Sequence, residues 1–236
     1  MTNQFLRAAI GVLLLSSAAE SQRPVDRALA TLPRRDANTF WTDLNQSRPQ
    51  AVPPEFKAAV LATLPAKGEV RNLKEPARRK LAAAQEILRM HQRDAVYEVK
   101  VIDVPDAFVG LHARSVILIS ETALNLLSAE ELQASVAHEA GHEYVWAQYE
   151  TARKAKDFER MQELEMFCDI VSVVTLRRAR LDPSRMITSF EKLLRYTRER
   201  FGPHPNEAHY ISAGERRKFI QTVITWAEGR EQATAQ

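Results

Sequence analysis

The stretch Ser128-Ala-Glu-Glu131, followed by His138-Glu-Ala-Gly-His142, constrains this chain more than any other. Ser128 and Glu131 have capping-box spacing, in which the serine hydroxyl accepts from the Glu131 amide and the glutamate reaches back. A helix started there carries His138 about ten residues in, inside continuous helix, where a spacing of four stacks His138 and His142 on one face. Two neutral imidazoles so presented can chelate a zinc ion, and Glu139 is close enough to handle the proton of a water on that ion. The competing reading of these five residues alone is a coincidence on an ordinary amphipathic helix.

With 236 residues, 45% of them hydrophobic, the chain can bury a real core. Its net charge of +3 is the small difference between 33 basic and 30 acidic residues, so there is no electrostatic footprint for nucleic acid. Cys168 is the sole cysteine, which excludes an intramolecular disulfide. At the N-terminus Arg7 precedes the apolar run 8–15, and Ser17 and Ala19 have signal-peptidase spacing. Residues 1–19 thus read as a cleaved secretory signal to the periplasm or exterior, with a retained anchor and peripheral membrane association as the variant of that reading.

Proline-punctuated helical patterns over 24–32, 37–46 and 54–64 make residues 20–74 a helical N-terminal segment. A stronger helical pattern over 75–93 opens a domain predicted to run to residue 229, with a frayed tail at 230–236. At Tyr97 the period changes from helical to two, and strands are expected at 97–101, 107–111 and 115–120, the last two joined near His112. The HEAGH helix is expected to reach about Tyr149, with further helices over 156–179, 183–201 and 213–229. The fold class is α+β, mainly helical, with a small sheet before the metal-binding helix.

A catalytic zinc usually has three protein ligands, so a third must come from downstream. Glu165 and Asp169 stand four apart, on one helical face that an antiparallel return can bring over the histidines. Glu165 is assigned as third ligand and Asp169 as the carboxylate that orients a ligand histidine. Glu163 is the alternative ligand if the register shifts by a turn.

The series 105–110, 116–120, 126–142 and 165–169 resembles the gluzincin family that includes the CAAX prenyl protease and the heat-shock protease HtpX. The resemblance implies a zincin-like metallopeptidase domain, with an edge strand, a zinc helix and a later Glu-x-x-x-Asp helix. The chain departs from that pattern at Asp106 and at Met166-Phe-Cys168. The family's His-Pro segment is similar to His204-Pro205, although the arginine that follows comes later here, at Arg216 or Arg217. The expected activity is zinc-dependent hydrolysis of peptide bonds in proteins or peptides, with Glu139 as base and His204, then Tyr210, as candidate donors to the oxyanion. Val116–Ser120 is expected to be the exposed edge that pairs with substrate. Competing readings are a chaperone-like or binding module with a structural or blocked zinc site, and a cell-wall amidase. The sequence leaves the oligomeric state open.

Overall fold

Capping and strand signals in the sequence place most of the elements. The computed structural model describes residues 23–32, 36–64, 68–202 and 211–229. The expected signal segment, the tail at 230–236, His204 and Tyr210 lie outside the described residues. The elements are α1 (Pro24–Thr31), α2 (Ala37–Gln46), α3 (Pro54–Thr63), α4 (Glu75–Met90), β1 (Glu98–Ile102), β2 (Val109–His112), β3 (Val116–Ser120), α5 (Glu121–Leu126), α6 (Ala129–Ala155), α7 (Phe158–Arg178), α8 (Arg185–Phe201) and α9 (Ala213–Gly229). The fold is therefore α+β and mainly helical. Among the described residues no helix is long and apolar enough to cross a membrane.

Helix α6 is the axis of the molecule. It opens on the capping box, with Ser128 Oγ accepting from the Glu131 amide at 3.2 Å and Glu131 Oε2 accepting from the Ser128 amide at 2.8 Å. The helix continues beyond Tyr149 to Ala155, further than the sequence pattern suggested. No glycine or proline interrupts that stretch, Glu150 pairs with Arg153, and Tyr149 and Ala152 pack with Met161 and Leu164 of α7. Lys156, with φ of 56°, ends the helix, and Asp157 caps α7 by accepting from the Arg160 amide. A link this short folds α7 back along α6 as an antiparallel pair.

Two apolar cores flank α6. On one side Leu132 and Val136 pack with Ile87 and Leu88 of α4 and with Ile117 and Ile119 of β3. On the other, α7, α8 and α9 pool Val173, Leu176, Met186, Phe219 and Ile220, with Ala28 of α1 lying against them.

The sheet has the order β1-β3-β2, with β3 parallel to β1 and antiparallel to β2. This corrects the expectation that Val116–Ser120 is the exposed edge. Its apolar residues are buried on both faces, which suits a central strand. The outer side of β1 is covered by residues 68–70, through the Val70 amide to the Val101 carbonyl (2.9 Å) and the Asp103 amide to the Gly68 carbonyl (2.6 Å). β2 is left as the edge beside α6. The β2–β3 turn spans residues 113–115, with Ala113 and Arg114 at φ of 47° and 54° and the Ser115 amide donating to the His112 carbonyl at 3.1 Å.

Buried polar groups tie the N-terminal segment to this frame. Glu143, one residue past His142, accepts from Arg93 Nε at 2.6 Å and from Tyr97 Oη, and lies 3.4 Å from Arg114 Nη2. Arg93 and Arg114 also donate to the carbonyls of Pro49 and Gln50, clamping the extended chain between α2 and α3. His91, fully buried at the end of α4, touches α2, α6 and α7 through Trp41, Tyr144 and Thr175. The Thr175 hydroxyl donates to the Val171 carbonyl at 2.7 Å, so at 3.0 Å it accepts from His91 Nε2, and Nδ1 accepts from Tyr144 Oη at 3.2 Å.

Burial, aided by nearby Arg48 and Arg93, pushes the His91 pKa down to about 3. The unfolded chain, with an ordinary histidine near 6.5, takes up a proton first on acidification. The stability from neutral His91 is thus complete above about pH 6.5 and is lost as pH falls toward about 3. Unfolding free energy measured by denaturant titration from pH 6.5 to 4 should fall more steeply in the wild type than in His91→Gln. The expected excess approaches one proton, about 1.4 kcal/mol per pH unit. Equal slopes would reject the assignment.

Candidate metal centre

Helices α6 and α7 pack tightly where Gly141 faces Cys168. A Cβ on Gly141 would lie 2.9 Å from Cys168 Cα, 3.1 Å from its Cβ and 3.3 Å from its Sγ, so only glycine fits. At that separation the face of α6 that carries His138 and His142 meets the face of α7 that carries Glu165 and Asp169. Glu165 Oε2 is 3.2 Å from His138 Nε2 and Oε1 is 3.7 Å from His142 Nε2. The imidazole rings are 5.0 Å apart and nearly perpendicular. Two ring nitrogens and one carboxylate from the sequence-predicted set therefore converge, and these three side chains could hold a metal ion.

Asp169 stands behind the histidine, with Oδ1 2.9 Å from His138 Nδ1. Arg216 of α9 completes the arrangement by donating to both Asp169 oxygens, at 2.9 Å from Nε and 2.7 Å from Nη2, while its guanidinium covers the Phe190 ring. The sequence left Arg216 and Arg217 as alternatives. Arg216 shares a helical face with buried Phe219, Ile220 and Val223, a periodicity that could have singled it out, whereas Arg217 pairs with Glu191 at the surface. Glu163 likewise points elsewhere, to Arg27 and to Arg160 at 2.7 Å.

Electrostatics separate these groups. Burial alone would raise the Asp169 pKa, but Arg216 and the hydrogen bond with His138 hold it below the usual carboxylate range. Burial also opposes a charged His138, yet its bonds with Asp169 and Glu165 prevail and lift it to about 10. Without metal, the His138 proton thus takes the place of a cation between two carboxylates. A metal ion held by His138 Nε2 would take that proton's place.

The ligand atoms of His138, His142 and Cys168 also lie within 4.8 Å of one another. Glu165 is the better third donor. Its carboxylate already reaches both histidines and lines the open cleft, whereas Cys168 is wholly buried beneath Gly141. Burial, with Glu165, Glu139 and Asp169 nearby, pushes the Cys168 thiol well above its ordinary range, so a thiolate is disfavoured there.

Glu139 lies with Oε2 4.0 Å from His142 Nε2 and accepts from the Leu111 amide of β2 at 2.8 Å. Sequence alone did not suggest that link. The Ser120 amide bonds to the Phe108 carbonyl across the β2–β3 pair, so residues 108, 110 and 112 face β3 and Val109 and Leu111 face outward, toward α6. A cavity of about 350 Å³ opens beside His138, Glu139 and Glu165 and extends between α6 and α8.

A family model of Peptidase family M48 matches residues 74–155, from α4 through the end of α6. The match takes in the sheet, His138, Glu139 and His142, and stops before Glu165, Asp169 and Arg216. No curated protein matches the chain.

The Gly141–Cys168 contact gives a direct test. Gly141→Ala should destabilise the fold by about 1–3 kcal/mol, because the clash is with backbone that cannot swing aside. That cost exceeds the gain of about 1 kcal/mol in helix propensity from alanine. The denaturant midpoint should fall, and a variant as stable as the wild type would contradict the packing argument.

Proposed function

We propose that this chain is a zinc-dependent metalloendopeptidase. The observation that carries the reading is the convergence of His138 Nε2, His142 Nε2 and the Glu165 carboxylate beside Glu139, at an open cleft bordered by the β2 strand edge. The match to a peptidase family over the same helix and sheet supports a metalloprotease. Two imidazoles and one carboxylate are a donor set that suits zinc in a hydrolytic site.

His138, His142 and Glu165 would hold the ion, and Asp169, itself held by Arg216, fixes the His138 ring so that Nε2 faces the cleft. Zinc, when bound, supplies a Lewis acid that polarises the scissile carbonyl and acidifies water. Glu139 accepts the proton of the attacking water and delivers it to the departing amine. An extended substrate pairs with the outer side of β2, where Val109 offers both its amide and its carbonyl. β2 takes the place of Val116–Ser120 in this role, since the latter strand is paired on both sides. The fold is read as zincin-like.

The biological role we assign is cleavage of unfolded or misassembled cell-envelope proteins. It rests on the export signal read in residues 1–19 and on the backbone-directed recognition that a strand edge provides. A binding module with a structural or blocked site is the weaker alternative, because such a site has no use for Glu139 and the family match is to peptidases.

Zinc analysis and casein cleavage on four proteins test this reading together. Wild type should bind one zinc and cut casein. Glu139→Gln should keep zinc and lose cleavage by a factor of about 100 or more, Glu165→Ala should lose zinc, and Cys168→Ala should retain both. Cleavage undiminished in Glu139→Gln would end the mechanism, and zinc lost only in Cys168→Ala would move the third ligand to the thiol.

A further inference from the structure

The cavity that opens beside the cleft is apolar over most of its wall, formed by Val109, Met186, Phe190, Leu193, Leu194 and Ile211. About 350 Å³ lies at the small end of ligand-binding cavities, suited to one bulky side chain and its backbone. Apart from His138, Glu139, His142, Glu165 and Arg216 at the metal-binding end, two polar side chains interrupt this lining. Ser135, one turn before His138, and Ser189 of α8 both face the cavity, with hydroxyl oxygens 2.6 Å apart. Both are nearly inaccessible, at 7% and 1%. Two hydroxyls carry two protons, and only one lies in the bond between them. No other acceptor for the second is found among the described residues, so the pair holds one spare donor among the apolar side chains.

We propose that this cavity receives the side chain of the substrate residue next to the cleaved bond, and that the Ser135–Ser189 pair selects tyrosine over phenylalanine there. The inference rests on the peptidase reading and names its preferred substrate. The six apolar side chains accept an aromatic ring, and the spare hydroxyl proton bonds to a phenolic oxygen at its tip. A hydrocarbon tip that seals the cavity strips the serine pair of water and returns nothing, which is the more costly of the two outcomes. Sites with such a donor discriminate by the missing hydrogen bond more strongly than by size.

The test uses the zinc-loaded full chain and peptides that differ only in the residue after a defined bond: tyrosine, phenylalanine or leucine. Cleavage is followed by mass spectrometry, and the affinities of the same peptides for Glu139→Gln are measured by calorimetry. The tyrosine peptide should exceed the phenylalanine peptide by about tenfold in kcat/KM and in affinity, a ratio equivalent to about 1.4 kcal/mol. In the double variant Ser135→Ala, Ser189→Ala the ratio should fall to about one. The wild-type ratio tests the assignment even if the double variant does not fold. Equal cleavage of tyrosine and phenylalanine peptides, or a preference that persists in a folded double variant, overturns the cavity assignment and leaves the peptidase reading standing. Preferential binding of tyrosine to Glu139→Gln without cleavage by the wild type overturns the peptidase reading and leaves the cavity assignment standing, while neither cleavage nor preference overturns both.

Discussion

The contact of Gly141 with Cys168 is the constraint from which the site follows. Any side chain on Gly141 meets main chain, not a movable tip, so the distance between α6 and α7 is set by the absence of one Cβ. At that distance the Glu165 carboxylate lies within reach of both imidazoles and Asp169 touches the far side of one. The antiparallel pairing of the two helices aligns the four-residue spacing of the histidines with that of the acids. A single rigid helix pair thereby carries every group assigned to the metal.

Charge is then distributed so that the buried Asp169 is paired on both sides. Asp169 is fully inaccessible, a position that is costly for a carboxylate unless it is paired and hydrogen-bonded. Arg216 meets both of its oxygens and His138 one, and Phe190 packs over the guanidinium. Because α9 supplies the arginine, the last of the described helices is joined to a site whose other members lie 47 or more residues earlier. Glu165, by contrast, faces the cleft and is free to turn toward a cation.

Much of this was legible in the sequence, for physical reasons that differ by element. The capping box and the spacings of His138 with His142 and of Glu165 with Asp169 are local rules of helix geometry, and the helices obey them. The change of period at Tyr97 located the strands. Their order was not legible, because alternation fixes which face a residue occupies and not which strand lies in the middle. Val116–Ser120 was therefore taken for an edge when its burial on both faces makes it the centre. The choice between Arg216 and Arg217 needed the phase of α9, and the hydrogen bond from Leu111 to Glu139 needed the edge strand to be identified first. Glu143 and His91 gave no signal, since their partners lie 29 to 84 residues away in elements that only the tertiary fold brings together.

The grip of Arg93 and Arg114 on the Pro49 and Gln50 carbonyls reaches further than the anchoring of a loop. Both arginines also meet Glu143, which is rooted in the helix that carries the histidines, so peeling the chain away at Pro49 would strip partners from two guanidiniums that share a buried carboxylate. Segment and site are thus coupled in folding cooperativity. Local opening at Pro49 and Gln50 would thus disturb contacts that are rooted, through Glu143, in α6.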